Sequence, residues 1–84
     1  MFKYEIKMNG EVIGTRSSKN VYTHVSVSNS TNGTGVASFH KTEKAAQKFA
    51  REYNNLIANS EYHAKEFNNA TFSVLEITPD MVTA

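Results

Sequence analysis

At 84 residues with nine cations, eight anions and no cysteine, the chain has room for one domain, burying about 60–65% of its unfolded surface on folding. A net charge of +1 excludes the strongly acidic surface of a DNA mimic and gives no mandate for non-specific nucleic-acid binding, so only local clustering of charge matters. Without cysteine there is no disulfide or thiolate metal cluster, and stability falls to apolar packing or to an oligomer.

Phe2, Tyr4, Ile6 and Met8 alternate with Lys3, Glu5 and Lys7, the period of a half-buried strand. That alternation contains neither the apolar run of a signal peptide nor a membrane span, and the chain reads as cytoplasmic. The Asn-x-Ser/Thr triplets at Asn29, Asn32 and Asn69 are then expected to carry no glycan. Asn9-Gly10 predicts a two-residue hairpin turn, pairing Met8 with Glu11, Ile6 with Ile13 and Tyr4 with Thr15.

Ser17 to Asn20 reads as a polar connector into a strand from Val21 to Ser28. On it Val21, Thr23, Val25 and Val27 share one face, expected in the core. Tyr22, His24 and Ser26 share the other, expected to meet water. Asn29 to Gly35 reads as a solvated loop, and Val36 to Phe39 as a short strand. A two-residue turn at Asn32-Gly33 would put Ala37 and Phe39 on the face opposite Val25 and Val27. A longer loop or a bulge corrects this, so an irregular loop is expected.

Thr42 has the chemistry of a helix N-cap, with Glu43 in the positive first turn. Ala45, Ala46, Phe49, Ala50, Tyr53, Leu56 and Ile57 follow the helical period. Asn59-Ser60 marks a stop and restart, giving either one bent helix or a second short one towards Phe67. Thr71 to Thr78 reads as a last strand, apolar on both faces, which suits a central position. Pro79 ends it, and Asp80 to Ala84 is expected to fray. The order β-β-β-β-α-β over residues 1–84 predicts a single α+β domain: an antiparallel sheet of four to five strands with one main helix on one face.

The sequence offers little catalytic chemistry. His24, His40 and His63 are far apart in sequence and lack the spacing of a zinc site; His24 and His40 could approach across adjacent strands, but no carboxylate is expected to complete a set there, so no metal or cofactor is expected. No nucleophile elbow, phosphate loop or His-Glu-x-x-His motif occurs. His24, Arg16 and Lys19 could be assembled into a small nuclease-like site, but any domain with three histidines and nine cations allows that, and the chain is read as a non-enzyme.

Two surfaces remain. Lys44, Lys48 and Arg51 form a basic helix stripe, extended by Lys41, able to meet phosphates or an acidic protein or simply to solvate the helix. Arg16, Lys19, Tyr22 and His24 combine loop cations with an aromatic and an imidazole, the residue types of interface hot spots and of base-stacking platforms. Thr15-Arg16-Ser17-Ser18 leading to Tyr22-Thr23-His24, after a hairpin and before a Lys- and Ala-rich helix, resembles small uncharacterised bacteriophage proteins. In size and layout the chain is similar to anti-CRISPR proteins and other phage inhibitors. That resemblance implies a non-enzymatic inhibitor in the host cytoplasm that blocks a host protein or ribonucleoprotein complex, and it assigns a role to no residue. Arg16, Lys19, Tyr22 and His24 are the expected anchors, with Lys44, Lys48 and Arg51 as a secondary contact. The alternative is a nucleic-acid-binding module stacking on Tyr22.

Overall fold

The computed structural model describes all residues, Met1–Ala84. Strands β1 (Phe2–Met8) and β2 (Glu11–Ser18) form the expected hairpin; β3 (His24–Ser30), β4 (Gly33–His40) and β5 (Thr71–Glu76) follow, with helices α1 (Glu43–Asn59) and α2 (Glu61–Glu66) between β4 and β5. The fold is α+β as predicted, but the strands divide into two antiparallel three-stranded sheets, β2-β1-β6 and β4-β3-β5, rather than one. The last strand, β6 (Val82–Thr83), comes from the tail expected to fray. A short 3₁₀ turn, Pro79–Met81, folds the chain back, Met81 enters the core, and Tyr4 pairs with Val82.

The second sheet is covered on both faces. Val25 and Val27 pack against Tyr4 and Ile6 of the first sheet and Met81 of the 3₁₀ turn. Between them Ser26 points the opposite way and donates to Ala46 O of α1. On the helix side Ala50, Ala70 and Phe72 form a second core with Phe49, Tyr53, Ile57, Phe67 and Val74 around it. A three-layer stack, sheet on sheet on helix, results. It explains why β5 is apolar on both faces although it lies at a sheet edge and not at the centre. Its exposed edge is partly blocked by Asn54 of α1, whose amide accepts from Phe72 N (2.8 Å) and donates to Phe72 O (2.9 Å), imitating a neighbouring strand.

Two bulges set the registers. Asn9 and Gly10 both take positive φ (54° and 80°) in the predicted turn. Met8 pairs with Glu11, but Ile13 is then an extra residue, so Ile6 faces Gly14 and Tyr4 faces Arg16, not Ile13 and Thr15. In β3–β4 the loop contracts to a tight turn at Thr31-Asn32. The correction comes from Ala37, which bulges so that Val27 pairs with Val36 and Val25 with Phe39. Val36 and Phe39 thereby join the inter-sheet core.

The helix ends follow the sequence. Thr42 Oγ1 accepts from Ala45 N (3.1 Å), and Ser60 ends α1 while capping α2. Ala45 and Leu56 fall outside the buried stripe, which narrows to Ala46, Phe49, Ala50, Tyr53 and Ile57. No helix is long and apolar enough to cross a membrane.

Gly14 of β2 lies directly against Val36 of β4. A Cβ there would lie 2.6 Å from Val36 Cγ2 and 2.8 Å from its Cβ, well inside van der Waals contact. Gly14→Ala is expected to destabilise the fold by about 1–3 kcal/mol through overpacking. In denaturant titrations its cost should be smaller in a Val36→Ala background; an equal cost there would rule out this contact as the cause.

Candidate functional site

The residues expected to act together are divided between two faces of one sheet. The chain must cross from β2 in the first sheet to β3 in the second, and residues 19–23 make that crossing. The strand expected from Val21 therefore starts only at His24, and Val21 stands 62% exposed. Tyr22 does not project from a wet face. Its ring packs edge-on against Tyr4 (5.6 Å between centroids) and tilted against Phe39 (5.5 Å), and Tyr4 and Phe39 meet at 5.7 Å.

Arg16 closes this aromatic triangle from outside. Its guanidinium carbon lies 4.9 Å from the Tyr22 centroid and 5.5 Å from that of Phe39. The side chain as a whole remains exposed. Both bulges are needed for the contact: the one at Ile13 turns Arg16 to the Tyr4 side of the hairpin, and the one at Ala37 brings Phe39 to the same layer. A cation held over two rings at an exposed site is worth about 0.5–1 kcal/mol. Its larger consequence is that the guanidinium is biased towards this position before any partner arrives.

The Tyr22 hydroxyl lies among groups that favour negative charge. Asn20 Nδ2 donates to Oη at 3.4 Å. The Asn20 and Ser18 side chains, with smaller contributions from Arg16 and Lys41, hold the phenol below its ordinary ionisation range. Lys19 sits on the exposed crossover. Sequence reasoning missed Phe39 and Tyr4 as parts of this site. Phe39 was hidden by the undetermined β4 register, and Tyr4 read simply as a core residue.

His24 belongs elsewhere. On the helix side of β3 its side chain is only 14% exposed, with Nδ1 2.8 Å from Thr23 Oγ1 and Nε2 3.5 Å from the Glu43 carboxylate. It cannot join Arg16 and Tyr22 as a contact, because α1 docks over it. His40 is its cross-strand partner, and Glu43 supplies the nearby carboxylate that sequence spacing did not reveal. No three such side chains converge as a metal site.

The buried Ser26 hydroxyl links His40 to the helix. Ser26 Oγ lies 3.3 Å from Ala46 O and 2.9 Å from His40 Nε2; with the His40 proton on Nε2, the hydroxyl accepts from the ring and donates to the helix carbonyl at once.

Lys44, Lys48 and Arg51 are exposed along α1, as the helical period predicts. Lys48 lies 4.0 Å from Glu52, a helix pair that offsets part of the stripe. Searches against protein-family models, curated proteins and solved structures found no match to this chain.

Burial, aided by the neighbouring His24, lowers the His40 pKa below its ordinary 6.5. The unfolded chain then takes up a proton that the folded one refuses, so stability is complete above about pH 6.5 and declines as pH falls towards the depressed value. His40→Gln retains a donor without a titrating ring and should flatten that part of the pH–stability curve, measured by chemical denaturation. An unchanged slope would show that His40 is not its source.

Proposed function

We propose that the domain is a non-enzymatic binding protein that docks on another protein and covers a functional surface of it. The observation carrying this reading is the exposed Arg16 guanidinium stacked on Tyr22 and Phe39. Arginine and tyrosine are the residues most enriched at interface hot spots, and an arginine biased towards its place before binding loses less side-chain entropy on contact. Arg16 and Tyr22 are the anchors, Lys19 and Lys41 the rim, and Lys44, Lys48 and Arg51 a secondary patch.

Base stacking on Tyr22 is the less favoured use, because Arg16 covers the ring and Tyr4 and Phe39 crowd its edges. The resemblance of the Thr15–His24 segment to small phage proteins suggests the setting. The partner would be a host protein or ribonucleoprotein complex in the host cytoplasm, such as a CRISPR–Cas effector, inhibited by steric occlusion.

Arg16→Gln tests the surface. It should cost no more than about 1 kcal/mol of stability, yet weaken capture of a partner from host lysate by at least about tenfold relative to wild type. A partner retained equally by both proteins would place the interface elsewhere. Binding to single-stranded DNA that weakens steeply with salt would favour the nucleic-acid alternative.

A further inference from the structure

The crossover between the sheets is held by one buried hydroxyl. Tyr4 is 2% exposed, and its Oη donates to Asn20 O at 2.7 Å while accepting from Tyr22 N at 3.0 Å. Asn20 N donates to Ser18 Oγ at 3.1 Å. A segment of exposed polar residues is thus tied to the core at two of its backbone groups, which removes the freedom such a connector normally has.

The side chains around this connector are unbalanced in charge. Lys19 lies on it, Arg16 on the adjoining end of β2 and Lys41 just past β4, while Asn20 and Ser18 add neutral polar groups beside the Tyr22 hydroxyl. The protein's ion pairs join His24 with Glu43 and Lys48 with Glu52, leaving none of the three cations with a carboxylate partner. In a chain with nearly equal numbers of cations and anions, these three are left free to meet an external acceptor. An incoming carboxylate would meet the Arg16 guanidinium already stacked over Tyr22 and Phe39, in the charge-assisted pairing that favours arginine.

We propose that the crossover is a carboxylate-receiving site for an acidic segment of a protein partner, with Arg16 as its principal donor and Tyr4 as the positioning residue that holds it in shape. This rests on the protein-docking reading above and specifies the chemistry of the partner. A protein carboxylate is favoured over a phosphate backbone because Arg16 already occupies a face of Tyr22 and of Phe39, and the α1 cations are flanked by Glu43 and Glu52.

The test is an NMR titration of the isotope-labelled protein with a short blocked polyglutamate peptide, with inorganic phosphate and oligothymidylate in parallel. The peptide should give saturable shifts confined to residues 16–22 and Lys41. At saturation the Tyr22 phenol should titrate at higher pH, since a neighbouring carboxylate opposes the phenolate. Tyr4→Phe keeps the ring but frees the connector; peptide binding should weaken at least about fivefold and the rise in the Tyr22 titration should vanish. Asn20→Asp places a carboxylate on the exposed connector itself and should abolish peptide binding without touching the core.

The proposal is overturned by shifts centred on Lys44, Lys48 and Arg51, by phosphate or oligothymidylate binding more tightly than the peptide, or by Tyr4→Phe and Asn20→Asp binding the peptide like wild type. A partner captured through Arg16 alongside a peptide that ignores the crossover would sink this site and leave protein docking standing. Peptide binding at the crossover alongside capture indifferent to Arg16→Gln would do the reverse.

Discussion

Val25, Ser26 and Val27 are consecutive on β3 and all at most 1% exposed. A strand alternates its side chains, so burying three in a row requires cover on both faces of the sheet. In this chain the hairpin sheet provides one cover and α1 the other. Ser26 adds a constraint the valines do not, because its hydroxyl must find partners inside the protein. His40 and the Ala46 carbonyl supply them, tying the helix to a particular point of the sheet. Asn54 repeats the device two turns further along, against the backbone of Phe72.

Splitting the strands into two sheets gives a small, cysteine-free chain two apolar layers instead of one. It also creates a problem that a single sheet would not have: the chain must pass between layers at residues 19–23 while its backbone groups remain satisfied. The Tyr4 hydroxyl answers for two of them. The same residue that fills the inter-sheet core therefore shapes the exposed connector, and fold and candidate contact surface meet in one side chain. Arg16 is the corresponding element on the outer side, stacked on the rings beneath it. The His24–Glu43 contact lies across the sheet from this surface, at the start of α1.

The sequence by itself determined the elements whose causes are local. The alternation of Phe2 to Met8, the Asn9-Gly10 turn, the Thr42 and Ser60 caps and the Ala46–Phe49–Ala50–Tyr53 stripe each depend on residues within a few positions of one another. The exposure of Lys44, Lys48 and Arg51 followed from the same helical period. Tertiary structure alone decided the faces of β2 and β4. Side chains on a strand repeat every two residues, so one bulged residue reverses every assignment beyond it. Ile13 did this to Arg16, and Ala37 to Phe39. Whether Tyr22 and His24 met water likewise depended on which sheet and helix came to cover them. Those contacts join residues far apart in the chain, and no local period encodes them.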